Sequence, residues 1–320
     1  MFTSFSKGVN QLHRTALNQA IHRMNTAMAS EEHAMPVAIL VGTKNIVLNI
    51  VMAIFSRHYV ILYFTGLGRL YTDLGIIGKF IFVMMIALSG LRKNRKFIVE
   101  NAHDRRVIAR WTKREVVLIN GSGFNKALYK KQSKKASKQT KHTIGHMSRF
   151  GKSKCTDQII KMINTLPADC KMILAGKDIS GSFYSDRFYQ LAQSHPNIEM
   201  IGFLETPEEV SAFFQKIDVF LYPSVREGLP ITLLESIHHH VPFLTTNVAG
   251  CIDLSNRFGF PAYAPEDFGE QDNHLNLEPW GQYTPRWDEI MKDYSTASVQ
   301  TQFEEIFQRI LNEDQPSSST

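Results

Sequence analysis

Ser224-Val225-Arg226-Glu227-Gly228-Leu229-Pro230-Ile231-Thr232-Leu233-Leu234-Glu235-Ser236 joins a buried strand, a glycine-proline turn and a helix, and its reading decides the fold. Before it, Asp218-Val219-Phe220-Leu221-Tyr222-Pro223 is a short apolar β-type run. After it comes another, Val241-Pro242-Phe243-Leu244-Thr245-Thr246. The residues between predict one helix of about three turns. Pro230 suits the first helical position, where its missing N–H costs nothing, and Gly228 lets the backbone come close to a ligand. A helix entered this way turns unpaired amides and the positive end of its dipole toward an anion such as a diphosphate. Glu227 stands at the helix mouth and Glu235 more than a turn further in, where a carboxylate can accept two hydrogen bonds from vicinal hydroxyls. Taken alone, two acids at this spacing read as solvated surface residues; the surrounding strand, turn, helix and strand make them a site.

Strands near 143–148, 171–175, 198–202, 218–222 and 241–246 alternate with helical segments. Upstream, Tyr59–Phe64, Lys96–Glu100 and Val116–Ile119 do the same, with helices at Phe80–Leu91 and around Asp104–Trp111. Such alternation builds parallel sheets that bind ligands at the carboxyl ends of their strands. At 320 residues the chain has room for two such α/β domains, and two domains facing each other would enclose a cleft.

The Glu, seven residues, Glu pattern in this setting resembles the retaining glycosyltransferases of the GT-B fold, family 4 (group 1). Asn247–Leu254, with Gly250, is similar to the loop in which that family brings backbone amides to the donor phosphates. Ser148-Arg149-Phe150-Gly151-Lys152-Ser153-Lys154 resembles the family's diphosphate-binding basic segment. The resemblance implies Arg149 and Lys154 on the diphosphate, with Lys152 as the alternative lysine. It also implies Glu235 on the ribose, Glu227 on the sugar, Gly228, Leu229, Pro230 and Ile231 on the phosphates, and Gly202-Phe203-Leu204 on the base. UDP is the implied nucleotide, and neither a metal nor another cofactor is implied.

The upstream half narrows the resemblance. Phe64-Thr65-Gly66-Leu67-Gly68, Glu100-Asn101-Ala102-His103-Asp104-Arg105 and Ile119-Asn120-Gly121-Ser122-Gly123-Phe124 look like acceptor-domain motifs of bacterial transferases that extend glycans on undecaprenyl diphosphate. Thr65, Gly66, Leu67, Gly68 and Lys44 are the implied acceptor-side residues. A nucleotide-sugar donor, a lipid-linked saccharide acceptor and a place on the inner face of the cytoplasmic membrane follow as expectations. The implied organisation is an abbreviated acceptor-side domain over 1–125, a basic linker over 126–141 and a nucleotide-sugar-binding domain over 142–296. Residues 297–320 then form a helix packing back on the upstream domain, and a frayed tail. Family members carry further N-terminal strand-helix units with a glycine-rich loop, whereas the residues before Val37 read as one helix over Lys7–Ala27. Three accounts stay open: a compact active enzyme, a subunit completed by a partner chain, and a non-catalytic nucleotide-sugar-binding remnant.

Charge and composition exclude other classes. The net charge is +6, but seven lysines fall between Lys126 and Lys141, and the rest of the chain is close to balance. No aromatic pattern of nucleic-acid binding accompanies them, so anionic lipid is the better match for that segment. Three cysteines, Cys155, Cys170 and Cys251, are too few and too scattered for a disulfide framework or zinc site. His238-His239-His240 reads as a cationic helix end. No strand leads into a Gly-x-Gly-x-x-Gly turn, which argues against a nicotinamide enzyme. Val37–Phe55 is broken by Lys44 and Asn49, and Phe80–Leu91 is too short to span a bilayer. Ending in Arg92-Lys93-Asn94-Arg95-Lys96, the second run reads equally as an interfacial helix and as a buried helix with a basic end. Trp280, Tyr283 and Trp287 read as core.

Overall fold

The computed structural model describes residues 2–5, 15–28, 37–41, 46–56, 58–129, 142–268 and 285–313. The chain forms two compact units, one of residues 1–125 with 292–320, the other of residues 126–291.

The first unit is a parallel sheet of five strands in sequential order: β1 (Phe2–Phe5), β2 (Val37–Val41), β3 (Tyr59–Phe64), β4 (Arg95–Val99) and β5 (Val116–Leu118). Strand β3 is buried along its whole length, as expected of a central strand covered on both faces. Against one face lie α1 (Thr15–Met28) and the C-terminal α12 (Thr296–Glu313), through Ala16, Leu17, Ala20, Phe303 and Phe307. Against the other lie α2 (Ile46–Phe55), α3 (Gly68–Thr72), α4 (Gly75–Gly90) and α5 (Ala102–Ala109). Both β1-α1-β2 and β2-α2-β3 step the same way across the sheet with helices on opposite faces, so they have opposite hands. One therefore departs from the right-handed rule for parallel crossovers.

Of the helix expected over Lys7–Ala27, the part from Thr15 onward is α1, and residues 7–14 lie outside the described residues. Phe2–Phe5, where the sequence predicts no strand, pairs with β2 as an edge strand. Phe2-Thr3-Ser4-Phe5 is four residues without apolar-polar alternation, so no strand signal stands out against the helical pattern that follows. The basic run after α4 is also reassigned in part. Arg95 is buried at the start of β4, where it donates to the carbonyls of Ala53, Ser56 and His58 at 2.7, 2.5 and 2.8 Å. Burial lowers its pKa to about 10. Lys96 is buried too and pairs with Glu115 at 2.8 Å. Lys44, the basic segment 130–141, Trp280 and Tyr283 lie outside the described residues.

The second unit is a parallel six-stranded sheet ordered β11-β10-β9-β6-β7-β8. Its strands are β6 (His142–Phe150), β7 (Cys170–Asp178), β8 (Ile198–Gly202), β9 (Val219–Tyr222), β10 (Phe243–Thr246) and β11 (Ala262–Tyr263). Helices α6 (Thr156–Asn164) and α7 (Phe183–Ser194) pack on one face through Ile159, Met162 and Phe188. On the other, α8 (Pro207–Lys216) presents Phe213 to Phe220 and closes over Gly145, where any Cβ would collide with Ile217 and Phe213. Thr206 and Glu209 form a capping box that starts α8. Helices α9 (Ile231–His238), α10 (Ala249–Phe258) and α11 (Pro285–Asp293) complete the unit. Trp287 of α11 is core, edge-on to Phe260 at 5.0 Å. Strand order reverses between β6 and β9, and the crevice at such a reversal, beyond the strands' carboxyl ends, is where open α/β sheets take ligands.

Candidate functional site

Three loops meet at that reversal. Tyr222 ends β9, and the chain turns through Ser224, which is fully buried. Ser224 N–H donates to Thr246 Oγ1 at 3.0 Å, Thr246 Oγ1 returns a bond to the Ser224 carbonyl at 2.5 Å, and Ser224 Oγ donates to the Ser153 carbonyl at 3.1 Å. Val225 N–H reaches the same Ser153 carbonyl at 3.1 Å. The ends of β6, β9 and β10 are thus fastened by buried polar groups whose partners are all supplied.

Gly250 adds a second constraint. It lies buried in the first turn of α10, and a Cβ there would run into the Gly228 carbonyl oxygen. Only glycine lets the start of α10 touch the loop before α9, so the helix starts carrying Gly228 and Gly250 share one wall. Pro230 is the N-cap of α9 and not its first helical residue, with φ −77° and ψ 103°, and α9 has eight residues, shorter than the three turns expected. The bend at His240, with φ 59°, ends it early.

Lys154 and Glu227, both expected from sequence, form an ion pair, and Tyr222 Oη joins them, 2.8 Å from Lys154 Nζ and 3.0 Å from Glu227 Oε1. Lys154 Nζ also lies 4.7 Å from the centroid of the Tyr222 ring. Burial works against the Lys154 charge, but Glu227 and Tyr222 outweigh it and hold the ammonium above its ordinary range. The Tyr222 phenol is raised by burial and then by the Glu227 charge. Lys152, the alternative lysine, is exposed, as is Arg149 at the end of β6. Beneath them His146 is buried between the Leu221 carbonyl and Ser148 Oγ, each 3.0 Å away. Burial drops its pKa to about 4, leaving a neutral ring that orders two strands.

Glu235 is buried in α9, and its Oε1 accepts from Tyr129 Oη at 2.6 Å. Burial pushes this carboxyl up to about 7, only partly offset by the tyrosine bond. The Tyr129 hydroxyl is raised by burial first and by the Glu235 charge second. His238, His239 and His240 point different ways. His239 Nδ1 lies 2.8 Å from the Glu235 carbonyl and its ring stacks on Phe214, while His240 is 4.0 Å from Asp288. Among the described residues no group of three potential metal ligands converges.

At the end of β8, Gly202 has φ 78°, a left-handed conformation that suits glycine, and it turns the chain so that Phe203 is exposed. Lys177 Nζ, from the end of β7, sits 3.8 Å from the Phe203 ring centroid. Leu204 follows, half-buried. Sequence reasoning missed Tyr129, Tyr222 and Lys177. Tyr222 and Lys177 were legible only as strand ends, and Tyr129 only as the aromatic before a lysine run.

In the first unit, Thr65-Gly66-Leu67-Gly68 forms the turn from β3 into α3, with φ 115° at Gly66 and 74° at Gly68 and with Leu67 in the core. Tyr63 Oη donates to Glu100 at 2.5 Å, and Asn101 caps α5 through the Asp104 N–H at 2.8 Å. The Asn120–Phe124 motif ties down the start of α12. Phe124 N–H donates to the Tyr294 carbonyl at 2.7 Å and Thr296 N–H to the Phe124 carbonyl at 3.2 Å.

The segment that builds the strand-end site can be compared with known families. Residues 129–269 match the family model of the glycosyl transferases group 1. Two curated relatives are glycosyltransferases by name, of capsular polysaccharide and of O-antigen biosynthesis. The capsular polysaccharide biosynthesis glycosyltransferase CapM of Staphylococcus aureus is 28% identical over 113 residues, 34% of this chain and 29% of the relative. The O-antigen biosynthesis glycosyltransferase WclY of Escherichia coli is 26% identical over 214 residues, 62% of this chain and 56% of the relative. The chain therefore spans under a third and a little over half of the lengths of these relatives. Among solved structures, HepE of Anabaena in complex with UDP-glucose aligns with TM-score 0.70 at 13% identity, covering 96% of this chain and 99% of that one. Sucrose-phosphate synthase of Thermosynechococcus elongatus aligns with TM-score 0.69 at 13% identity, covering 97% and 81%. At such identities the likeness concerns fold, and the fold is that of GT-B glycosyltransferases.

Proposed function

We propose that this protein is a retaining glycosyltransferase. It moves a hexose or N-acetylhexosamine from a nucleotide sugar, UDP by preference, to a lipid-linked saccharide during surface-polysaccharide synthesis, at the cytoplasmic face of the membrane. The observation that carries the reading is the joining of Lys154, Tyr222 and Glu227 at the strand-order reversal, beside the α9 start and the buried Glu235. The group 1 match over this segment and the names of the relatives support it.

Each residue then has a task. Donor phosphates take the amides of Gly228, Leu229 and Ile231, with Pro230 shaping the turn between them, and Arg149 and Lys154 offset their charge. As the bond from the anomeric carbon to the phosphate oxygen breaks, negative charge grows on the departing diphosphate. Cations fixed there stabilise the transition state more than the ground state. The diphosphate competes with Glu227 for Lys154, which leaves the Glu227 carboxylate available to the sugar hydroxyls. Glu235 accepts the ribose hydroxyls, and Phe203 with Lys177 offers a flat face to the base. The acceptor hydroxyl attacks on the side from which the diphosphate departs, and a phosphate oxygen takes its proton.

The test is transfer by the purified chain from UDP-, GDP- and dTDP-sugars to polyprenyl-diphosphate saccharides, read by mass spectrometry beside Glu235→Gln. A mass gain from one donor, lost in the variant, is the expected result. No gain with any donor, despite UDP binding, would replace the reading with that of a donor-binding subunit that needs a partner chain.

A further inference from the structure

Helix α4 is apolar on both sides. Its inner face packs Phe82, Met85 and Ile86 into the core. Its outer face carries Ile77, Phe80, Ile81, Met84, Leu88 and, just past its end, Leu91, all exposed and all apolar. Ile77, Ile81, Met84, Leu88 and Leu91 follow one another at intervals of three or four, which keeps them on one stripe, with Phe80 beside it. The extent of exposure separates this from scattered surface residues: Ile76 is 87% exposed, Ile77 74%, Phe80 67% and Leu91 75%. The stripe continues onto α2, which packs beside α4 and exposes Val51, Met52 and Phe55. Arg92 Nε clips the end of α2 to the end of α4 through the Ile54 carbonyl at 2.6 Å. Soluble surfaces rarely hold a contiguous apolar area of this kind without a partner.

We infer that this face docks on an anionic lipid bilayer, with α4 lying in the plane of the interface. Two features choose lipid over protein. Protein interfaces carry about one hydrogen bond per 100–200 Å², yet Lys79 is the one polar side chain among those α4 exposes. The charge around the face is also one-sided. From Ile46 to Lys96 the chain has a single acid, Asp73. Exposed Arg69 and Lys79 stand toward the α4 start, and exposed Arg92 and Lys93 follow its end. Apolar side chains in the acyl boundary with bases at headgroup level is the arrangement of interfacial helices. No helix among the described residues is long and apolar enough to cross the membrane, so the contact is one of surface insertion. The inference deepens the membrane placement proposed above, but docking needs neither donor nor acceptor.

Co-sedimentation of the full chain with phosphatidylglycerol-containing vesicles and with pure phosphatidylcholine vesicles tests it. The parent binds the anionic vesicles. Ile77→Ser with Phe80→Ser weakens that binding at least about tenfold, and Lys93→Gln weakens it about fivefold on anionic vesicles alone. Both variants keep the parent's melting temperature and UDP affinity, because the altered side chains face outward in the other unit. Parent protein that stays in the supernatant, or a double variant that binds as well as the parent, overturns the inference. So does gel filtration showing a dimer that the double substitution dissolves, without vesicle binding; the face would then join two copies of the chain. Loss of transfer with vesicle binding intact would count against the transferase reading and leave the docking face standing.

Discussion

The two units place their polar groups in opposite ways. In the second, Ser224, Thr246, Lys154, Tyr222 and Glu227 are drawn together at the strand ends and satisfy one another, and Glu235 in α9 is satisfied by Tyr129. In the first, α4 and α2 keep apolar side chains outside, and Arg95 and Lys96 go inside to hold carbonyls and a carboxylate. Inward polar groups fix distances and angles, which recognition of a small charged molecule requires. An outward apolar face fixes no angle and suits a fluid partner. Core rules apply to both units; on the proposed reading, the second also uses its buried polar groups to shape the donor site.

Substitutions can break that contrast or sharpen it. The largest expected effect is on Lys154→Met, which on the proposed reading removes a cation from the departing diphosphate and leaves Glu227 with Tyr222 alone. Turnover with the UDP-sugar should fall by about 3–4 kcal/mol in barrier, two to three orders of magnitude, in initial-rate assays. A fall of less than tenfold would show that the inward cluster is structural only.

Glu235→Gln should separate function from stability. Burial lifts this carboxyl from 4.5 to about 7, so the folded state holds a proton more tightly than the unfolded chain. The stability linked to that proton is full below about pH 4.5 and is lost as pH rises through about 7. The amide avoids this loss, so the variant should exceed the parent by about 3 kcal/mol near pH 8 and match it near pH 4. Urea denaturation at the two pH values reads this. UDP affinity should fall in the same variant, since an amide accepts from a diol less strongly than a carboxylate.

Gly250→Ala tests the wall between α9 and α10. The added methyl meets backbone, and the site must open, at about 1–3 kcal/mol in stability, with weaker UDP binding by calorimetry. Smallest of all, Ile77→Ser should move the unfolding free energy by less than about 0.5 kcal/mol, because an exposed side chain on α4 supports nothing within its own unit.

Much of the second unit could be read from the chain because its site is local. Glu227, Gly228, Pro230 and Glu235 fall in one stretch, and the strands on either side identify it. Pairing of Lys154 with Glu227 required more, since the β6 and β9 ends become neighbours only through the reversal in strand order. Tyr129 was beyond reach: it meets Glu235 across 106 positions, and no local pattern encodes that. The first unit failed differently. The apolar run at Phe80–Leu91 was plain, but when both faces of a helix are apolar, periodicity cannot say which one is buried. Residues 2–5 were too few to register as a strand.

The bond between Tyr129 and Glu235 has a last consequence. A carboxyl so deep in α9 needs a donor, and the Tyr129 phenol supplies one to Oε1. On the function proposed above, an arriving diol would take the tyrosine's place on Oε1 and bring a second hydroxyl to the same carboxylate. Glu235 would then favour two hydroxyls side by side, which a ribose has and a deoxyribose lacks.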